Sequence, residues 1–158
     1  MKKLLGFSIF LVLVLIASLT AEAKVTLPAI FSDNMVLQQN TQVNVWGKAA
    51  PGEKVKVKAS WLDKAVTAKA AANGKWAVKL KTPKATTNQS VTVSGENEIT
   101  INNVLIGEVW LCTGQSNMEF PVSRHPDVKW NTGMLNEAEE LKDADYPEIR
   151  LFHVKHQL

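Results

Sequence analysis

Cysteine is nearly absent from this 158-residue chain, with Cys112 the only example, and histidine occurs three times, at His125, His153 and His156. A single thiol excludes an internal disulfide and a thiolate metal cluster, and the three histidines lack ligand spacing. No metal site is expected. Charge of one sign is also lacking, since 18 basic and 15 acidic residues leave a formal +3. Lys54, Lys56, Lys58 and Lys79, Lys81 alternate with apolar residues, as the wet face of strands does, so no phosphate-tracking patch and no nucleic-acid partner are expected. Internal repeats and low-complexity linkers are missing too. A hydrophobic fraction of 46% with 21% charged residues excludes a disordered chain, a collagen-like repeat and a coiled coil.

A long apolar run occurs once, at the start. Lys2-Lys3 precede an apolar stretch over 4–19, and Ala21-Glu22-Ala23 supplies the small-x-small pattern that signal peptidase accepts. The stretch is shorter than the ~20 residues of a membrane-spanning helix. Residues 1–23 are therefore expected to be a signal peptide cleaved after Ala23, leaving a mature protein in the periplasm or outside the cell. With no cysteine near residue 23, no lipid or other membrane attachment is expected after cleavage.

From residue 24 to 106 the pattern has period two. Val55, Val57, Ala59 and Trp61 alternate with lysines and Ser60, and Trp76, Val78 and Leu80 alternate with Lys75, Ala77 and Lys79, so each run should bury one face. Trp46 has the opposite parity from Val43 and Val45, which leaves it facing a ligand or a neighbouring domain. Asn73-Gly74 predicts a type I′ hairpin and Pro51-Gly52 another turn. Further short strands at 43–45, 91–93 and 99–101 complete the expectation, a mainly β antiparallel β-sandwich of about seven or eight strands.

The grammar changes at Gly107. Val109-Trp110-Leu111-Cys112 is a continuous apolar run, the mark of a strand buried on both faces, which would also make Cys112 an inert buried thiol. A polar, irregular stretch follows. Leu135, Ala138 and Leu141 then give a helical stripe over 134–142, and 149–154 reads as a second apolar strand. Strand, helix, strand is the beginning of a parallel α/β domain over 107–158. Two parallel strands cannot complete such a sheet, so that domain is expected to be truncated.

Gly114-Gln115-Ser116-Asn117 stands just past the apolar run, where open α/β sheets place their ligands. Ser116 on a tight turn would offer a nucleophilic hydroxyl, with Gly114 leaving room for substrate. Gln115 and Asn117 either donate hydrogen bonds near an oxyanion or only hold the turn together. This is not the G-x-S-x-G elbow, because Met118 stands where that motif has glycine. Taken alone, G-Q-S-N reads as an ordinary turn serine.

The run Gly107-Glu108-Val109-Trp110-Leu111-Cys112-Thr113-Gly114-Gln115-Ser116-Asn117-Met118-Glu119-Phe120-Pro121-Val122 resembles the first catalytic block of the sialate O-acetylesterase family, whose hydrolase domain is of the SGNH class. Leu27-Pro28-Ala29-Ile30-Phe31-Ser32-Asp33-Asn34-Met35-Val36-Leu37-Gln38-Gln39 resembles that family's opening segment. Val43-Asn44-Val45-Trp46-Gly47 and Pro51-Gly52-Glu53 resemble the strand and turn that follow. The resemblance implies a serine esterase that removes O-acetyl groups from sialic acid or related acetylated glycans without a cofactor. It assigns the nucleophile to Ser116, and the base and its acidic partner to later blocks that this sequence does not contain, so the chain alone is expected to be inactive.

The three histidines read as surface or structural groups rather than as that base. Arg124 could fork onto a sugar carboxylate, although a lone loop arginine is more often solvated, and Trp130 could stack on a sugar ring. Two rival readings differ in kind: a deacetylase of plant polysaccharide such as acetylated xylan, and a non-catalytic secreted β-sandwich binding module.

Overall fold

The protein is described by a computed structural model covering residues 24–124, 127 and 133–154. The leader, Trp130, His125 and His156 lie outside the described residues. Seven strands form in the first part: β1 (Val36–Gln38), β2 (Gln42–Lys48), β3 (Lys54–Ala59), β4 (Val66–Lys69), β5 (Lys75–Lys81), β6 (Thr86–Ser94) and β7 (Glu98–Gly107). A single-turn 3-10 helix, Ser116–Glu119, and one short helix, α1 (Glu137–Asp143), follow.

The mainly β expectation holds, in two sheets. One has five strands in the order β1-β7-β6-β3-β4 and curls into a half-barrel; the other pairs β2 with β5. Alternation explains the burial. On β5 every second residue, Trp76, Val78 and Leu80, turns inward while Lys75, Lys79 and Lys81 stay exposed, as period-two strands must. Val45, Trp76, Val78 and Leu80 of the small sheet join Val55, Val57, Val91, Val93 and Val104 of the large one in a single core. Trp61 only half enters it, because β3 ends at Ala59, and its indole N–H donates to the Lys81 carbonyl at 2.9 Å. Lys58 departs from the wet-face reading: it is half-buried and its ammonium donates to the carbonyls of Leu62 and Asp63.

One strand pair breaks the antiparallel expectation. β1 runs parallel to β7, with Val36 opposite Leu105 and Gln38 opposite Gly107, so the large sheet is mixed. No local signal announces a parallel pair whose members lie so far apart in sequence.

The turns also divide. Pro51-Gly52 forms the turn expected of it: the Glu53 N–H reaches the Ala50 carbonyl at 3.0 Å with Gly52 at φ 81°, the type II geometry that Pro at the second and glycine at the third position favour. Asn73-Gly74 does not make a two-residue hairpin. Gly74 has φ 75° but Asn73 keeps negative φ, and its side-chain oxygen accepts instead from the Lys75 N–H at 3.1 Å. The turn carries the chain from β4 in one sheet to β5 in the other, so its ends are not strand partners.

Beyond Gly107 the expected strands do not form among the described residues. The segments 109–112 and 149–154 are irregular, with Trp110, Leu111 and Leu151 at 83%, 90% and 96% exposure. A strand satisfies its backbone only through neighbours, and no described residue supplies them. Cys112 is consequently exposed rather than buried. Helix α1 overlaps the expected 134–142 and runs one residue past it, but no residue of it is buried. Among the described residues no helix is long and apolar enough to cross a membrane.

Candidate active site

The serine segment is tied to the half-barrel at its start. β7 ends at Gly107, and the next residue, Glu108, receives the side-chain amides of Gln38 at 2.9 Å and Gln39 at 2.7 Å, one on each carboxylate oxygen. The same two glutamines reach further: Gln38 Oε1 accepts from the Val109 N–H at 2.9 Å, and Gln39 Oε1 from the Ala85 N–H at 2.8 Å. Hydrogen bonds from Gln38 first and Gln39 second hold the Glu108 carboxyl below the usual glutamate range, because donors aimed at a carboxylate favour its charged form. Below this clamp sits Thr82, 3% exposed, whose hydroxyl donates to the Gln38 carbonyl at 2.8 Å and accepts from the Thr41 N–H at 3.1 Å. It fixes the end of β1 against β5.

A second tie returns the distal end of the segment to the same strand pair. Asn34 and Asn103 both adopt left-handed backbone, at φ 68° and 52°, and the Asn103 side-chain amide donates to Asn34 Oδ1 at 2.7 Å. The half-buried Arg150 guanidinium donates to the Asn103 backbone carbonyl and, at 3.0 Å, to Asn103 Oδ1. Both ties therefore belong to the edge formed by β1 and β7. Between that edge and the later segment lies a cleft of about 1080 Å³, lined in part by Ile30, Met35, Leu105, Trp110, Arg150 and Phe152.

Ser116 opens the 3-10 turn, exposed, and no described residue bonds its hydroxyl. The turn is held by the backbone, with the Met118 N–H donating to the Gln115 carbonyl at 2.9 Å. Gln115 thus contributes to the turn through its main chain. A Cβ at Gly114 would stand 2.9 Å from Met118 Cγ, so the Met118 side chain packs close to the glycine. Asn117 lies within the same turn.

Arg124 lies in an exposed loop, where its backbone N–H donates to Glu137 Oε2 at 3.2 Å, and the Met134 N–H closes the loop on the Val122 carbonyl at 3.0 Å. His153 is exposed on the irregular distal segment, and no described contact joins it or Arg124 to Ser116. Among the described residues no group of three His, Cys, Asp or Glu side chains could hold a metal ion. Gln38, Gln39, Glu108, Thr82 and Arg150 were not singled out as functional from the sequence. The first three do fall inside the blocks that carry the family resemblance, and that was the signal available.

No family model matches the chain. Mouse (Mus musculus) sialate O-acetylesterase is 31% identical over 157 residues, covering 91% of this chain and 27% of that protein. This chain is homologous to part of sialate O-acetylesterase. The rat (Rattus norvegicus) sialate O-acetylesterase is 40% identical over 55 residues, 34% of this chain and 8% of its own length. A crystal structure described as a novel carbohydrate acetylesterase from Xanthomonas citri superposes with a TM-score of 0.60 at 36% identity, over 66% of this chain and 24% of that one. The chain thus spans about a quarter of the length of the mouse sialate O-acetylesterase. A match over 91% of the chain takes in both the half-barrel and the segment after it, since each is longer than the remainder.

Proposed function

We propose that this chain belongs to a secreted serine esterase that removes O-acetyl groups from glycans, with Ser116 as the nucleophile. On this reading residues 1–23 are the cleaved signal peptide, 24–106 a β-sandwich scaffold, and 107–158 the start of an SGNH-like α/β hydrolase domain. One observation carries it. The homology to sialate O-acetylesterase takes in both regions, and the two blocks that resemble that family meet in space through Gln38, Gln39 and Glu108.

The chemistry would be acyl transfer. Ser116 Oγ attacks the acetyl carbonyl, a base takes the hydroxyl proton, and the sugar leaves as its alcohol; water then releases acetate from the acyl-enzyme. Such a site needs a base within hydrogen-bond reach and more than one oxyanion donor. Ser116 has no base among the described residues, so turnover requires residues beyond them. O-acetylated sialic acid is the first substrate class to test. A second class is other acetylated carbohydrates, supported by the likeness to the Xanthomonas citri carbohydrate acetylesterase, with acetylated xylan as its test substrate.

The test is acetate release from O-acetylated sialic acid and from acetylated xylan by the chain and by any longer product of its gene, each compared with its Ser116→Ala variant. Loss of turnover on the order of 10³-fold or more, with the fold kept, is expected wherever activity is found. Near-normal turnover by Ser116→Ala would remove Ser116 as the nucleophile.

A further inference from the structure

The small sheet carries a second concavity with no described residue of the serine segment in its walls. Strands β2 and β5 floor a groove of about 690 Å³ bordered by Trp46, Trp76, Lys48, Lys69 and Lys75. Trp46 is 44% exposed although it belongs to a strand whose neighbours Val45 and Gly47 are buried. The Phe31 ring meets it edge to face, with centroids 4.7 Å apart and planes at 80°. That contact restrains the indole while much of its surface stays exposed.

Charge sets the sign of the ligand. Among the described residues three lysines line the groove and no carboxylate does.

We propose that this groove binds an anionic glycan, with a pyranose ring against the exposed surface of Trp46 and its carboxylate held among Lys48, Lys69 and Lys75. An exposed indole beside lysine ammonium groups suits a ring that carries C–H bonds on one side and an acid at its edge. The choice of a sugar over another anionic ring rests on the carbohydrate-esterase reading; the site itself does not involve Ser116. Exposed lysines act weakly and are screened by salt, so selectivity comes from ring and charge together.

The full 158-residue chain would be titrated by NMR with trisialic acid, trigalacturonic acid, neutral maltotriose and oligothymidylate. Saturable binding of either acidic trisaccharide is expected, at least about ten-fold tighter than maltotriose and weakened by salt. Whichever acid binds identifies the source of the carboxylate. Both Trp46→Ala and the triple variant Lys48→Gln, Lys69→Gln, Lys75→Gln should weaken it about ten-fold or more. If Trp46→Ala unfolds, the lysine triple, placed entirely at exposed positions, decides alone. Absence of binding, equal affinity for maltotriose, tighter binding of oligothymidylate, or a folded variant that binds as the parent does would each overturn the proposal. Ser116→Ala should bind unchanged, so loss of esterase activity and loss of glycan binding are read separately.

Discussion

Residues 24–107 and residues 108–154 use apolar side chains at similar frequency and reach opposite outcomes. In the core shared by the two sheets Val45, Val55, Val57, Leu80, Val91 and Val93 lose all exposure, while Trp110, Leu111 and Leu151 of the later segment keep 83%, 90% and 96% of theirs. The difference lies in pattern. Alternating residues ask for one covered face, which the chain supplies by folding its two sheets over a shared core. Continuous apolar runs ask for two covered faces, and the described residues offer neither. The serine-bearing segment therefore depends on its ties to the half-barrel, at Glu108 and at Arg150.

The largest expected effect is in the core shared by the two sheets. Leu80→Ala removes a side chain with no exposed surface and should cost about 2–5 kcal/mol by urea unfolding. Leu111→Ala in the later segment should stay within about 0.5 kcal/mol of the parent; equal losses at both positions would erase the contrast.

Gly47→Ala should rank next. A Cβ at Gly47 would stand 2.9 Å from Trp76 Cζ2 and overlap the Thr26 carbonyl oxygen, in a core with no slack. Overpacking of this kind costs about 1–3 kcal/mol, read as a lower thermal midpoint. An unchanged midpoint would mean that the small sheet can shift to make room.

The smallest effect on stability, and the most informative about coupling, concerns Glu108. Its carboxyl is held below the usual glutamate range, so the folded state binds the proton less readily than the unfolded one. The clamp's contribution is then present at and above neutral pH and is lost as pH falls through the lowered value. The side-chain amide NMR signals of Gln38 and Gln39 should move on acidification with an apparent midpoint below that of an ordinary glutamate. Glu108→Gln should abolish that titration and speed exchange of the Val109 amide while the core strands stay protected. A midpoint at or above the ordinary value would show that the clamp does not form.

How much of this could be read from the sequence follows the same division. The strands of both sheets were legible because Lys54-Val55-Lys56-Val57 and Lys75-Trp76-Ala77-Val78 state their burial one residue at a time. The exposed parity of Trp46 was legible for that reason as well. The parallel pairing of β1 with β7 was not, since register between distant segments leaves no local trace. Asn73-Gly74 misled because a hairpin signal specifies a tight turn, not which strands it will join. The run 109–112 was read as a buried strand from its hydrophobicity, and burial there depends on neighbours that the described residues do not provide. Ser116 was legible through the family resemblance alone. The Gln38, Gln39 and Glu108 clamp joins side chains 69 and 70 positions apart and could be seen only once the chain was folded.

Hydrogen exchange of the intact chain, followed peptide by peptide, tests the contrast most directly. Slow exchange is expected across β2, β3, β5, β6 and β7, with 110–124 and 151–154 exchanging at rates near those of an unstructured chain. Protection of those later peptides equal to that of the core strands would show that the serine segment is folded in its own right, and the dependence on the half-barrel clamps would be wrong.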